Sequence, residues 1–153
     1  RVLFRSPTVL QKSDGTVTAW MRENGFTGHI RYAESSDDGV TWGPVMVSTL
    51  PNPGSGLDGI CLQSGRWLLI HNDAREGRGR LAVSMSDDEG KTWKWKRLLE
   101  DLSDGSAHYP CIIQTRDGQI HAVYSYFVSG GKSMKHAVFS EAWLESGERQ
   151  AAR

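Results

Sequence analysis

The strongest constraint on this chain is an eight-residue motif that occurs twice: Ser35-Ser36-Asp37-Asp38-Gly39-Val40-Thr41-Trp42 and Ser86-Asp87-Asp88-Glu89-Gly90-Lys91-Thr92-Trp93. Asp37 and Asp88 are suited to accept backbone N–H groups of the turn they open, as Asx turns do. Gly39 and Gly90 allow backbone angles that a side chain would forbid, and Trp42 and Trp93 are large enough to anchor each turn. A calcium loop would need further spaced acidic positions and a Glu at its twelfth position. Two copies with the same turn chemistry read as architecture. Ser35, Asp37, Gly39, Thr41 and Trp42 are therefore assigned structural roles, as are Ser86, Asp88, Gly90, Thr92 and Trp93.

The closing tryptophans are 51 residues apart, and the rest of the chain keeps that ruler. The turns Ser13-Asp14-Gly15, Ser64-Gly65 and Arg116-Asp117-Gly118 each have a short apolar run on either side. Further runs follow at 28–33, 80–84 and 133–139. Each unit reads as strand, glycine turn, strand, loop, strand, motif, strand. A four-stranded antiparallel unit of this period is a propeller blade.

The expected fold is thus all-β, a partial β-propeller of three four-stranded blades at 7–50, 58–102 and 109–144 within one domain spanning 1–153. The third unit ends without the motif at Ser140-Glu141-Ala142-Trp143-Leu144, and 145–153 read as a tail. Three blades fall short of the usual ring of about four to eight, so the missing blades are expected from the same chain. Residues 1–6 enter a strand-like run abruptly, without an initiator Met, and read as foreign sequence.

Composition narrows the partners. Eighteen basic residues balance eighteen acidic ones, so no broad attraction to nucleic acid or anionic membrane is expected. No apolar run approaches the roughly 20 residues of a membrane span. Cys61 and Cys111 lie in apolar runs, which suggests buried free thiols rather than a disulfide framework or zinc site. No cofactor or metal is expected, and periplasmic, secreted and cytoplasmic locations all remain compatible.

With the octapeptides placed, three other stretches carry a family resemblance. They are Leu50-Pro51-Asn52-Pro53-Gly54-Ser55-Gly56-Leu57-Asp58, the pair His108-Tyr109-Pro110 with Gln114-Thr115-Arg116-Asp117-Gly118, and Met134-Lys135-His136-Ala137-Val138. From Pro7 to Leu144 the chain resembles the bacterial-neuraminidase-repeat (BNR) superfamily that contains the sialidases. Within it, the sequence is most similar to sialidase-like glycoside hydrolases, and the octapeptide is their Asp box. The resemblance implies a six-bladed propeller with its site on the central axis. There an arginine cluster holds a substrate carboxylate, a Glu-activated Tyr attacks the sugar, and an Asp is the acid/base.

The repeat points to matching positions here. Pro7, Asp58 and Tyr109 recur every 51 residues at the starts of inner strands, while Arg22, Asn72 and Ser125 each lie eight residues beyond Asp14, Ser64 and Asp117, at the ends of second strands. Tyr109 is the candidate nucleophile, or else a channel-lining Tyr that orients a sugar. Asp58 is a candidate base or polar contact, or else a turn cap. Arg22 matches a carboxylate-binding arginine. Asn72 stands where a second arginine was expected, and Arg78 or Arg80, with Arg78 preferred, compensates from the next loop. His108 lines the mouth, whereas His136 alternates along a strand. The expected function is the C-terminal half of a sialidase-like glycoside hydrolase acting on a glycan, inactive as an isolated piece. The alternative is a propeller that binds carbohydrate or protein without chemistry.

Overall fold

A computed structural model of the chain describes residues 4–25 and 27–149. Three antiparallel sheets follow one another along the chain. Blade 1 holds β1 (Phe4–Gln11), β2 (Val17–Glu23), β3 (His29–Ser35) and β4 (Met46–Pro51), paired in that order. Blade 2 holds β5 (Asp58–Cys61), β6 (Trp67–Asn72), β7 (Arg80–Ser86) and β8 (Trp95–Asp101). Blade 3 has β9 (Gly105–Gln114), β10 (Ile120–Val128) and β11 (Gly131–Phe139). The chain then forms α1 (Glu141–Glu145) and β12 (Glu148–Arg149), which pairs with β8 as a fifth strand of blade 2.

Among the described residues the third blade has three strands where four were expected, and part of the expected tail is structured. Residues 150–153, like 1–3, lie outside the described residues, while Phe4, Arg5 and Ser6 belong to β1. The first strands stack in series, β1 on β5 and β5 on β9, which defines the inner side of a partial propeller.

Blade 2 shows why its middle run is continuously apolar. All six residues of β6 are buried, and alternate side chains go to opposite interfaces, as the period of a strand requires. Trp67 and Leu69 join Leu10, Trp20, Ile30 and Trp93 between blades 1 and 2. Leu68 and Ile70 join Ala107, Ile112, Ala122 and Tyr124 between blades 2 and 3. Each fully buried side chain of this size contributes about 1.5–3 kcal/mol. Blades 1 and 3 each have one covered face, so Val9 and Val47, and Ile113, Val123, Met134 and Val138, are exposed.

The same asymmetry corrects the expectation for the thiols. Cys61 and Cys111 are exposed. Cys111 lies beside Val123 on the uncovered face of blade 3, and Cys61 is the last residue of β5.

Both Asp boxes close between third and fourth strands. The Ser35 hydroxyl donates to Asp37 Oδ1 at 2.7 Å and accepts the Gly39 N–H at 2.9 Å. Asp37 then accepts the Thr41 N–H at 2.8 Å and hydroxyl at 2.6 Å. In the second box the matching distances are 2.8, 2.9, 2.8 and 2.6 Å. Glu89 of this box reaches the glycine turn of blade 1, accepting the Ser13 N–H at 2.7 Å. Blade 3 has no Asp box, and α1 stands in its place. Glu141 accepts the Ser64 hydroxyl of blade 2's glycine turn at 2.7 Å, 77 residues along, where Ser13 and Glu89 are 76 apart.

Candidate functional site

The Asp boxes and glycine turns occupy one end of the blades. The starts of inner strands and ends of second strands form a rim at the other. Strand pairing, rather than counting, shows which rim positions correspond. Thr8 lies opposite Trp20, Asp58 opposite Ile70, and Cys111 opposite Val123. Asp58 is therefore equivalent to Thr8 and Cys111, not to Pro7 and Tyr109. Thr8, Asp58 and Cys111 are 50 and 53 residues apart, which a fixed count of 51 misses, and just before Thr8 and Cys111 the strands β1 and β9 are bulged, each with one extra residue on the inner strand. Ser6-Pro7 and Tyr109-Pro110 sit in these bulges, and Ser6 (φ 49°) and Tyr109 (φ 51°) both adopt the left-handed region. Non-glycine residues rarely do so, and such strain concentrates at functional positions.

The bulge turns Tyr109 outward, so that it is 55% exposed. Its ring meets the His108 ring edge-on at 4.9 Å, and the Arg78 guanidinium carbon lies 5.8 Å from its centroid. Gly56 makes room for it, since a Cβ there would come within 3.3 Å of Tyr109 Cδ1. His108 itself is buried, packs edge-on against Phe127 and among the described residues has no partner at Nδ1. Burial, helped by the nearby Arg78 charge, pushes its pKa below the usual imidazole value and favours the neutral ring.

Arg78 is held by its backbone. Its carbonyl accepts the Ala107 N–H at 2.8 Å and the Asn72 side-chain amide at 3.2 Å. Asn72 also donates to the carbonyls of Arg80 and Ala107. Asn72 is fully buried, so it presents no amide to the mouth and instead braces the 73–79 loop against β9. Arg80 points away from the rim cluster, with Asp73 at 3.9 Å and Asp101 at 3.7 Å.

Asp58 is a clasp across all three inner strands. Its Oδ1 accepts the Thr8 hydroxyl at 3.1 Å and the Gly59 N–H at 2.9 Å, and its Oδ2 accepts the Ile112 N–H at 3.0 Å. Arg22 Nη1 donates to the Gly54 carbonyl at 2.9 Å, while its buried Nε has no partner among the described residues. Arg22 and Tyr109 thus touch the same 52–57 link, at Gly54 and Gly56 respectively.

Two rim residues escaped the sequence reading because 1–6 were set aside. Arg5 lies directly opposite Arg22 in the β1–β2 register, and Ser6 occupies the bulge position that Tyr109 fills in blade 3. A pair of arginines facing each other across a ladder is an unfavourable contact in the absence of an anion. The signal was present in Arg5-Ser6-Pro7 as a counterpart of His108-Tyr109-Pro110. On the same end, a cavity of about 360 Å³ is lined by Glu23, Thr27, Asn52, Gly54, Arg75 and Glu76 among others. Glu23 is held low despite burial, because Thr27 and Arg31 bind its carboxylate.

Comparison with known proteins bears on the fold and the family. The chain is 28% identical over 145 residues to a sialidase from Micromonospora viridifaciens, covering 88% of this chain and 21% of that protein. The leech intramolecular trans-sialidase, solved with 2,7-anhydro-Neu5Ac, superposes with a TM-score of 0.78 at 19% identity, over 90% of this chain and 24% of that one. The intramolecular trans-sialidase of Ruminococcus gnavus, solved with oseltamivir carboxylate, gives 0.78 at 20% identity, over 93% and 34%. The chain therefore spans about a fifth to a third of the relatives it matches, and the two structural likenesses establish a sialidase-type fold. The profile of the BNR repeat-like domain matches residues 5–122. With its two Asp boxes and partial propeller, the chain belongs to the BNR repeat-like domain family of the sialidase superfamily.

Proposed function

We propose that this chain supplies one wall of an axial glycosidase site of the sialidase type, acting on an anionic sugar, and is inactive alone. The observation that carries the reading is Tyr109, solvent-exposed on a left-handed bulge beneath the Arg78 guanidinium. In the reaction, the Tyr109 phenol oxygen bonds to the anomeric carbon as its proton passes to an adjacent base, and the glycosidic oxygen departs with a proton from a general acid, both groups supplied by the other blades of the ring. Water then cleaves the sugar–tyrosine bond. A tyrosine needs an adjacent base for this, and Tyr nucleophiles are the known exception to the two-carboxylate scheme. Arg22 and Arg78, joined by Arg5, bind the substrate carboxylate, for which the planar guanidinium fork is suited. His108 and Asn72 position Tyr109 and Arg78, and Asp58 keeps the inner strands in register.

The test is hydrolysis of a chromogenic sialoside by a longer chain containing this segment. Tyr109→Phe should lower turnover by at least about 10²-fold, and the 153-residue chain should release no product. Normal turnover in the variant would exclude the nucleophile. A second reading, a glycan-binding propeller without chemistry, is favoured by the engagement of both Asp58 oxygens in hydrogen bonds. It predicts glycan binding that Arg22→Ala weakens, with no released sugar from any chain length.

A further inference from the structure

We infer that His121 and His136, on the uncovered face of blade 3, form a two-point site for a divalent transition-metal cation of the copper(II) or nickel(II) type. They sit on neighbouring strands, diagonally: His121 lies opposite Val138, and His136 opposite Val123. His121 Nδ1 and His136 Nε2 are 3.0 Å apart, with the rings stacked at 5.2 Å and 16°. This site is remote from the sugar site proposed above and independent of that reading.

The separation is compatible with a shared cation. Imidazole nitrogens bind such metals at about 2.0–2.1 Å, so two nitrogens 3.0 Å apart subtend about 95° at a shared cation. That angle is the cis relation of square-planar or octahedral coordination, typical of Cu(II) and Ni(II). The affinity order of divalent metals also places Cu²⁺ highest.

Two facing lone pairs at this distance repel unless something lies between them. In the free protein one ring's hydrogen fills that role, and a small turn of each exposed ring lets a cation do so. The displaced hydrogen moves to the outer nitrogen of the same ring by tautomer exchange through solvent. Binding to the neutral pair therefore releases no net proton. Asp117 adds negative charge nearby, and bonds from the Thr115 hydroxyl and the Gln119 N–H hold its carboxyl below the usual range. Among the described residues no group of three His, Cys, Asp or Glu side chains forms a metal centre, so water completes the coordination. Once one imidazole has bound, the second binds intramolecularly, which raises affinity above that of a lone histidine.

The experiment is titration of tag-free protein with Ni²⁺ and Cu²⁺, followed by calorimetry and by the nitrogen hyperfine pattern of bound Cu²⁺. One site per chain with two nitrogen ligands is expected. His121→Gln and His136→Gln should each weaken binding at least about 10-fold and leave one nitrogen, with unchanged thermal melts in the absence of metal. Cys111→Ser, which removes the exposed thiol on the same face, should bind as the parent does. Equal binding by the histidine variants, loss of binding with Cys111→Ser, or no saturation by millimolar metal would each overturn the assignment.

Discussion

The two Asp boxes are nearly superposable inside and very different outside. The four bonds that the Ser and Asp side chains of each box make to its Asp, Gly and Thr agree within 0.1 Å. Yet Trp93 is 4% exposed and packs edge-on against Trp20, whereas Trp42 is 43% exposed. The motif therefore builds its own turn from local hydrogen bonds and gains its tertiary value only from a neighbouring blade. The second box has such a neighbour, since Glu89 holds the glycine turn of blade 1 and Gly90 lies against Trp20.

The comparison can be broken by mutation. Urea melts of the 153-residue chain should show the largest contrast for the tryptophans. Trp93→Ala should cost about 3–5 kcal/mol and Trp42→Ala about 1 kcal/mol or less; equal losses would mean that packing against blade 1 adds nothing.

The glycines come next. A Cβ at Gly90 would lie 2.7 Å from Trp20 Cζ2, while one at Gly39 would meet only Trp42, at 3.6 Å. Both have positive φ, so Gly39→Ala should cost about 1 kcal/mol from backbone strain alone. Gly90→Ala should cost about 3 kcal/mol, because overpacking against a rigid ring adds to that strain.

The serines should restore the symmetry. Ser35→Ala and Ser86→Ala remove the same buried hydroxyl bonds, and each should cost about 1–2 kcal/mol. A difference above about 1 kcal/mol would show that the turns are not self-sufficient.

The smallest effect is in acid. Bonds from the Thr41 hydroxyl and N–H, then Ser35, lower Asp37 from 3.8 to about 2. A carboxyl depressed on folding stabilises fully above its unfolded pKa and loses that contribution as the pH falls through the folded one. Asp37→Asn should thus flatten the fall in melting temperature between about pH 4 and 2; an unaltered acid limb would refute it. In Asp88 burial works against the shift, and bonds from Thr92 and Ser86 outweigh it, so the direction is the same.

What could be read beforehand follows from the same distinction. Local chemistry was legible: the Asp boxes, the glycine turns and the alternating runs located the blades and the rim. Long-range substitutions were not. The 51-residue ruler counts residues along the chain, whereas a bulge changes partners without changing composition, so Tyr109 and Asp58 were aligned although the ladder sets them apart. Asn72 looked like a ring position because it ends a second strand, yet its amide is consumed by three carbonyls from the 73–79 loop, β7 and β9. The role of α1 was hidden because Ser140-Glu141 has no Asp-box pattern; it fills the same place with a helix cap and a carboxylate.

The return of α1 and β12 to blade 2 also dictates how the molecule breathes. Blade 3 is entered from β8 and left through a segment whose strand pairs with β8 again. Arg97 stacks on Trp143 at 4.0 Å, and Arg66 binds Glu141 and Glu145. Blades 2 and 3 are thus tied at both ends of the intervening chain, while the 52–57 link alone carries the chain from blade 1 to blade 2. In native-state hydrogen exchange, amides of blades 2 and 3 should open together as one cooperative unit, and those of blade 1 at a lower free energy.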